Sequence, residues 1–243
     1  MKMTTWKTLE EYLKPNPNLR PPIATSKWTP PRRSRGKRKI SLRSKGSSRG
    51  GFRANGNATA YESDLELDAA LSLLARPDVV DVLDQYPQVS FVGADGKRHR
   101  FTFDFMSVHV DGSRMAHSVK PEDKVEASRI VEIHGYIRQQ ISPKVATHVN
   151  IITEEKLTDE DRFNARLIHT VRRNPYPDDD AIIARLISGL HGSTTLGALA
   201  KASGRRGYGY RAAARAVAAG KLRLVRHGRM VSKAVVCRPN DNI

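Results

Sequence analysis

Residues 100–120, RFTFDFMSVHVDGSRMAHSVK, decide the fold of this chain. Aromatic and branched residues alternate with other residues from Arg100 to Val110, and this period of two predicts a β-strand. Asp111-Gly112 predicts a tight hairpin turn. Met115 to Lys120 then returns as a second strand beside the first. The stretch therefore predicts an antiparallel pair of strands.

This strand pair brings an acidic residue and a lysine to one edge of a sheet, because Asp104 lies in the first strand and Lys120 ends the second. Ser118 points the same way as Lys120, since side chains two residues apart share one face of a strand. A further carboxylate, Glu66, lies in residues 61–74, where the apolar spacing predicts a helix. That helix places a second acidic group within reach of the sheet edge.

Two carboxylates and an ammonium group suit metal-dependent cleavage of a phosphodiester. Mg²⁺ takes oxygen ligands, usually one or two carboxylates together with water and substrate phosphate. A nearby ammonium orients the attacking water and stabilises the developing negative charge. We therefore assign Glu66 and Asp104 as metal ligands, Lys120 as the catalytic cation and the backbone carbonyl of Val119 as a further ligand. The alternative is that Asp104 caps a strand and Lys120 lies on a solvated face.

Two neighbouring residues are harder to assign from spacing. Glu62 precedes Glu66 by four residues, hence on the same helix face, where it would replace or support Glu66 as a metal ligand. Alternatively, Glu62 is a solvated residue of the first helical turn. His117 alternates to the strand face opposite Ser118, so we interpret it as structural.

Residues 61–121 resemble the TnsA family, the endonuclease subunit of heteromeric transposases, which belongs to the PD-(D/E)xK nuclease superfamily. The similarity is weaker over residues 148–155 and covers about half of the chain. The matching segments, in the order of the family, are Ser63-Asp64-Leu65-Glu66-Leu67, Asp78-Val79-Val80 to Asp84-Gln85-Tyr86-Pro87, Phe103-Asp104-Phe105, and Ser118-Val119-Lys120-Pro121.

The resemblance implies a specific fold, reaction and set of partners. It implies a restriction-endonuclease-like α/β core, a mixed sheet with flanking helices, and a Mg²⁺ cofactor, with Mn²⁺ as an alternative. The implied activity is cleavage of double-stranded DNA at transposon ends, on the strand that the partner transposase does not cut. The implied partners are a strand-transferring transposase of the TnsB type and an ATP-dependent regulator of the TnsC type.

One position departs from the family pattern. The family has Gln or Glu two residues before the lysine, whereas this chain has Ser118, whose hydroxyl is a shorter and poorer metal ligand. Either Ser118 acts through a water, or the site is weakened and the protein is a DNA-binding scaffold of a transposition complex. A restriction or repair nuclease acting alone is a third hypothesis. Gln85 matches a family residue near the active site, so we include it as a supporting residue.

The net charge of +17 is unevenly distributed. Residues 1–60 carry 15 basic and 2 acidic residues, residues 61–180 carry 15 basic and 22 acidic, and residues 181–243 carry 12 basic and 1 acidic. Basic ends around an acidic middle suit a polyanion that is held at both ends and cut between them. We therefore predict a basic N-terminal arm over 1–60, a nuclease domain over 61–174 and a DNA-binding domain over 175–243.

The N-terminal arm is rich in Pro, Gly, Ser, Lys and Arg from Pro15 to Arg53, so we expect it to be mobile without a ligand. Trp6 to Leu13 is predicted as a short helix, and Trp28 or Phe52 would pack on the core or on a partner. A solubilising tail is the alternative to a DNA-binding arm. The predicted phosphate contacts are Arg32, Arg33, Lys37, Arg38 and Lys39.

The remaining spacing of the central domain predicts alternating strands and helices. A strand-helix-strand order makes the two strands parallel. The predicted elements are strands over Val79–Leu83, Gln88–Val92 and Val145–Ile152, a turn at Asp95-Gly96, and helices over Glu122–Gln140 and Asp159–Arg172, the latter with Phe163, Leu167, Ile168 and Val171 inward.

The C-terminal segment has the pattern of a winged helix-turn-helix. Helices are predicted over Ala181–Leu190, Thr195–Ala202 and Tyr208–Ala219, and residues 222–236 form a two-stranded wing. The third helix of such a module enters the major groove, although a small helical domain that binds protein is the alternative. The predicted DNA contacts are Arg205, Arg206, Tyr208, Tyr210, Arg211 and Arg215, with Arg226 and Arg229 on the wing.

Composition excludes several other classes. No run of about 18 apolar residues occurs, so we expect no membrane span, and Met1 to Pro17 lacks the apolar core of a signal peptide. A single cysteine, Cys237, excludes an intramolecular disulfide framework and fits a reducing cytoplasm, where we expect the protein to associate with the nucleoid. The eight histidines show no metal-ligand spacing.

Overall fold

The structure is a computed structural model that describes residues 30–38, 40 and 48–241. The predicted helix at Trp6–Leu13, together with Trp28 and Lys39, lies outside these residues. Within them, no helix combines the length and apolarity needed to cross a membrane.

The described chain is a mixed α/β structure, which confirms the predicted α/β class. Its central sheet has four strands in the order β3-β6-β7-β8. The strands are β1 (Gly50–Ala54), β2 (Asn57–Tyr61), β3 (Val79–Asp84), β4 (Gln88–Val92), β5 (Arg98–Thr102), β6 (Phe105–His109), β7 (Arg114–Val119), β8 (His148–Ile152), β9 (Ser193–Thr195), β10 (Arg223–Leu224) and β11 (Val235–Cys237). The helices are α1 (Asp64–Ala75), α2 (Glu122–Val125), α3 (Ile130–Gln140), α4 (Asp159–Arg173), α5 (Pro177–Ser188), α6 (Leu196–Ala202) and α7 (Arg206–Ala218), with a 3-10 turn at Glu154–Lys156.

The central sheet is covered on both faces by separate apolar clusters. On one face, α1 packs through Ala69, Ala70 and Leu73 against Val82, Phe105, Val119 and Ile152. On the other face, α3 and the β4–β5 hairpin pack through Ile137, Phe91 and Phe103 against Ala116 and Val149. Alternation along β7 sends Val119 to the first cluster and Ala116 to the second. The sheet is therefore the middle layer of three.

The strand pairing confirms both predicted connections. β6 and β7 are antiparallel, with Phe105 opposite His117, and the turn between them contains Gly112 at a φ of +82°. β7 and β8 are parallel, with Val119 opposite Ile152, as the strand-helix-strand order requires.

The predicted single strand from Arg100 to Val110 is wrong, because the structure divides it into β5 and β6. Phe103 lies between the two strands and packs in the cluster under α3, and its N–H donates to the carbonyl of Pro87. The next N–H, that of Asp104, donates 3.0 Å to the carbonyl of His117. After this break, the Asp104 carboxylate and not a backbone carbonyl accepts the hydrogen bond of the Val119 N–H.

Two helix boundaries also differ from the prediction. Helix α1 begins after Ser63, whose side chain accepts a hydrogen bond from the Glu66 N–H, so Glu62 lies before the helix and not on its face. The predicted helix over Glu122–Gln140 is two helices, since Arg129 between them has a φ of +53°. A left-handed residue cannot continue an α-helix.

The residues following β8 form a second packed unit. Helix α4 contributes Ile168 and Val171 to a core built by α5, α6 and α7, and it also contacts α1 through Arg166 and Asp68, 2.6 Å apart. Phe163, predicted inward, is wrong: it is 37% exposed and lies beneath the guanidinium of Arg229.

The strands of this second unit are shorter than predicted. The sheet has the order β10-β11-β9, with two residues in β10 and three in β11. The turn before β11 is instead held by Asn164 of α4, which donates to Gly228 O at 2.9 Å and accepts from Met230 N at 2.7 Å. Strand β9 was not predicted.

Candidate active site

Asp104 is positioned by the backbone at the end of the central sheet. Its own N–H and carbonyl are bonded to His117 and Gln85, and its Oδ2 accepts a 2.8 Å hydrogen bond from the N–H of Val119. The carboxylate therefore takes the place of the next strand residue opposite β7. Lys120 follows directly, and its N–H donates 3.0 Å to Ile152.

Glu66 is positioned by the first turn of α1. Ser63 caps the helix by accepting from the Glu66 N–H at 3.1 Å, and Glu66 Oε2 accepts from the N–H of Glu62 at 2.7 Å. This resembles a capping box, in which the third residue of the helix bonds back to the backbone before it. Glu66 is only 8% exposed, whereas a capping carboxylate of a surface helix stays in water.

The structure brings the two predicted carboxylates into electrostatic range. Burial, together with the neighbouring charge of Asp104, raises the pKa of Glu66 to about 7. Burial also raises the pKa of Asp104, against the Val119 N–H and the charge of Lys120, which lower it. Two desolvated carboxyl groups with a cation beside them form a cluster that is unfavourable without a positively charged ligand.

These residues fit a hard divalent cation. The recorded hydrogen bonds to the Glu66 and Asp104 carboxylates each come from one backbone N–H, which leaves further lone pairs for ligation. In the described part of the chain, no three His, Cys, Asp or Glu side chains converge as a metal site. Water, backbone oxygen and substrate phosphate would complete the coordination, as Mg²⁺ commonly allows.

The segment Pro30–Arg38 packs against the core beside this site, and that it is mobile without a ligand stays a prediction. Arg32 pairs with Asn57, donating 2.9 Å to Gly56 O and accepting 2.8 Å from Ala58 N. Ser34 donates to both carboxylate oxygens of Asp84, at 2.8 and 2.9 Å. The buried carboxylate of Asp84 thus anchors the segment.

The Arg38 side chain extends from this segment to the residues around the two carboxylates. Arg38 Nε donates 2.8 Å to Gln85 Oε1, and its Nη2 contacts Glu62. Its charge lowers the pKa of both Glu66 and Asp104. Gln85 is fully buried, has a φ of +46° and donates its N–H to Asp104 O at 2.7 Å. Gln85 therefore links Arg38 to the backbone of Asp104.

The Glu62 carboxylate forms ion pairs with two arginines, the first of which is Arg38. The same carboxylate also lies 3.7 Å from Arg49, so it sits between two guanidinium groups. As a metal ligand it would first have to leave both.

Ser118 is turned away from solvent. It is fully buried, and its hydroxyl lies 2.9 Å from Nε2 of His134 on α3. Burial lowers the pKa of His134 to about 4, so its imidazole is neutral near pH 7. A water-mediated role of Ser118 in metal binding would require this buried pair to separate.

His117 lies on the opposite strand face, in a second buried network. Its Nε2 is 2.8 Å from Ser107 Oγ, which lies 2.9 Å from Nε2 of His109. Nδ1 of His109 is 3.2 Å from Asp78. Burial lowers the pKa of His117 to about 3, and its full enclosure gives it a structural role.

Most of the predicted DNA contacts in the C-terminal unit make internal contacts. Arg205 Nε donates 2.8 Å to the fully buried Asp179, and Arg215 Nε donates 2.8 Å to Asp180. Tyr210 donates its hydroxyl to the carbonyl of Met230. These side chains hold α7 to its neighbours.

The other predicted contacts of this unit differ in exposure. Tyr208 packs its ring against Tyr176 at 5.2 Å, and Arg211 is half-buried. Arg229 covers the Phe163 ring. Arg206 and Arg226 are exposed, as are Arg32, Arg33, Lys37 and Arg38 of the N-terminal segment. That any of them contacts DNA stays a prediction.

Sequence reasoning missed two features of the site. Arg38 was assigned to a DNA-binding arm because it lies in a dense basic run, a composition that carries no signal for one arginine bonding to Gln85. His134 was passed over because its spacing matches no ligand pattern. Its place on the inner face of the helical run Ile130, Ile133 and Ile137 was the available signal for burial.

Two comparisons with known proteins identify no relative of this chain. A scan of the sequence against models of protein families finds no match, and a search of curated proteins also finds none. The assignment of function therefore depends on the residues themselves.

Proposed function

We propose that this chain is a metal-dependent DNA endonuclease, the cleaving subunit of a heteromeric transposase of the TnsA type. The observation that carries the proposal is the meeting of Glu66 and Asp104, which lie far apart in the sequence, beside Lys120 at one end of the sheet. Their raised pKa values mark a site where unfavourable charge is retained.

The proposed reaction is hydrolysis of a phosphodiester bond. Mg²⁺ at Glu66 and Asp104 would activate water and offset phosphate charge. The ammonium group of Lys120 would orient the water and stabilise the negative charge that develops on the phosphate. Water adds to phosphorus, the bond to the leaving oxygen breaks, and that oxygen takes up a proton. The raised pKa of Glu66 limits the charged pair to pH values near or above 7.

The finer fold assignment belongs to the same proposal. A four-stranded mixed sheet with helices on both faces supports a restriction-endonuclease-like core. Three helices followed by a short hairpin support a winged-helix unit, although α7 buries residues on several sides and exposes Arg206 at its start. We propose duplex DNA at transposon ends, a TnsB-type transposase and a TnsC-type regulator as partners.

Nicking of supercoiled plasmid by the full chain with Mg²⁺ tests the activity. Asp104→Ala and Lys120→Ala should each lower the nicking rate at least about 10³-fold, while DNA affinity stays within about threefold. Asp123→Ala, an exposed carboxylate close to Lys120 in the chain, is the matched control and should keep full activity. Nicking that survives both site changes would reject the assignment.

The burial of Ser118 against His134 favours a second candidate, a nuclease-like scaffold that positions DNA or a transposase without cutting. Absence of nicking with Mn²⁺, transposon-end DNA and both partner proteins present would select the scaffold. Ser118→Gln would then restore cutting only if His134 gave way to the longer side chain, because the hydroxyl of the fully buried Ser118 lies 2.9 Å from the His134 ring.

A further inference from the structure

A cleft of about 660 Å³ opens beside the active site, between the β1–β2 hairpin, helix α1 and helix α4. Its walls combine the turn of the hairpin with the C-terminal ends of both helices. Among the described residues that line it are three arginines and one histidine, but no acidic residue: Arg53, His169, Arg172 and Arg173. The charged side chains that line the cleft are therefore all basic, although three of these four residues belong to segment 61–180, in which acidic residues outnumber basic ones.

The positive charges of this cleft act on one another. Burial lowers the pKa of His169, and the charges of Arg173 and Arg172 lower it further. Arg172 donates to the carbonyls of Leu74 and Ala218, at the ends of α1 and α7. Carbonyl groups at helix C-termini carry partial negative charge and offset part of the charge on Arg172, so an anion in the cleft would be bound chiefly by the other two arginines.

The cleft lies at a defined distance from the carboxylates. Leu74, which lines it, follows Glu66 by eight residues on α1, a separation of about 12 Å at 1.5 Å per residue. One DNA strand advances about 3.4 Å per nucleotide, so 12 Å spans three to four nucleotides. The Phe52 ring of the hairpin contacts both Tyr61, next to the site, and His169 in the cleft.

We propose that this cleft binds the phosphate backbone of duplex DNA three to four nucleotides from the bond held at Glu66 and Asp104. Arg53 and Arg173, both exposed at its mouth, are the phosphate contacts. Arg172 also lines the cleft, held by the carbonyls of Leu74 and Ala218. The inference rests on the proposed function and adds where the substrate lies. Backbone contacts of this kind fix register without reading sequence, which suits a subunit whose partner recognises the DNA ends.

DNA affinity measured in the Asp104→Ala background tests the cleft without cleavage. Arg53→Gln combined with Arg173→Gln should weaken binding of a labelled duplex about tenfold or more at 0.1 M salt. The plot of log affinity against log salt should flatten by about 2, since each phosphate contact contributes about 0.9. Lys97→Gln combined with Lys144→Gln, which removes two equally exposed charges elsewhere, should leave the slope unchanged.

Two results of this comparison overturn the proposal. One is an unchanged slope in the arginine pair, and the other is an equal loss in the lysine pair, which would indicate general attraction. Every protein in these measurements carries Asp104→Ala and cannot cut DNA. A failed nicking assay would therefore reject the proposed function without deciding whether the cleft binds DNA. Circular dichroism and thermal melting of each variant establish that it is folded.

A probe in the cleft gives a test that leaves its arginines intact. Cys237, the sole cysteine of the sequence, is fully buried, so Asn174→Cys offers one accessible thiol at the lining of the cleft. A fluorophore there should respond to duplex DNA and not to inorganic phosphate at the same phosphate concentration. No response to DNA overturns the proposal, and an equal response to inorganic phosphate reduces the cleft to a site for free anions.

Discussion

The two halves of the molecule differ in how their charged side chains are paired. In the C-terminal unit, Arg205 and Arg215 are matched with Asp179 and Asp180 by short hydrogen bonds. At the end of the central sheet, the carboxyl groups of the buried Glu66 and the half-buried Asp104 receive hydrogen bonds from backbone N–H groups, and the charge of Asp104 raises the pKa of Glu66. Matched charges stabilise a fold, whereas retained unfavourable charge is typical of a functional site.

The largest effect should come from breaking a matched pair. Arg205→Ala leaves Asp179, which is fully buried, without its guanidinium, and we expect a loss of about 3 kcal/mol in the free energy of unfolding. Arg206→Ala, the exposed neighbour, should change stability by less than about 0.5 kcal/mol. Urea denaturation of both variants gives the comparison. Equal losses would show that Arg205 is no more structural than Arg206.

Removing a charge from the carboxylate cluster should raise the free energy of unfolding, whereas breaking a matched pair lowers it. Between pH 4.5 and about 7 the folded protein holds a proton on Glu66 that the unfolded chain releases, so this group lowers stability as pH rises. Glu66→Gln keeps an acceptor for the Glu62 N–H and removes the charge. We expect it to stabilise the protein by about 2 kcal/mol at pH 8 and much less at pH 5.

The exposed residue Glu155 supplies the control, since Glu155→Gln should alter stability little at either pH. Urea denaturation at pH 5 and pH 8 measures all three proteins. A Glu66→Gln variant that is destabilised at pH 8 would identify Glu66 as a capping residue and remove the basis for a metal site.

The sequence predicted this contrast only in part. The local patterns predicted the hairpin and the parallel crossover that the structure shows, and Lys120 lies near enough to Asp104 for its charge to lower the pKa of that carboxyl group. The break at Phe103 and Asp104 was missed because the alternation of residue types continues through it. What ends β5 is the burial of Phe103 under α3, a long-range contact that no local window contains.

The C-terminal unit shows a different failure of sequence reasoning. The composition of α7 and the residue before it is that of a DNA-binding helix, with Arg205, Arg206, Arg211 and Arg215. Composition does not indicate, however, which of these arginines faces an aspartate. The acidic run Asp178-Asp179-Asp180 lies in the first turn of α5. Its pairing with α7 depends on the packing of α5 against α7 and therefore on tertiary structure.

A smaller effect concerns the cation that the cluster should bind. Below pH 7 a metal ion must displace the proton of Glu66, so Mn²⁺ affinity should rise about tenfold per pH unit and level off above pH 7. Electron paramagnetic resonance of free Mn²⁺ between pH 5.5 and 8.5 measures this profile. Glu66→Gln should weaken binding and reduce the slope, leaving only the part that the Asp104 proton contributes. An affinity that is flat with pH in the unaltered protein would mean that Glu66 is not a ligand.

The smallest effect on stability should come from Arg38, which joins the two kinds of charge. Its ion pair with Glu62 is largely exposed on the arginine side, at 46%, so Arg38→Ala should cost less than about 0.5 kcal/mol. Its charge nevertheless lowers the pKa of Glu66. The variant should therefore shift the Mn²⁺ affinity profile to higher pH while the melting temperature hardly moves.

Arg35→Ala is the matched control for this last measurement. Arg35 lies on the same segment and also pairs with a carboxylate, that of Asp81, but it is not among the groups that perturb Glu66. A shifted profile in Arg38→Ala and an unshifted one in Arg35→Ala would make Arg38 a positioning residue of the cluster. Identical Mn²⁺ affinity profiles in the two variants would mean that Arg38 has no specific electrostatic effect on the carboxylates. The segment 30–38 would then have only a structural role.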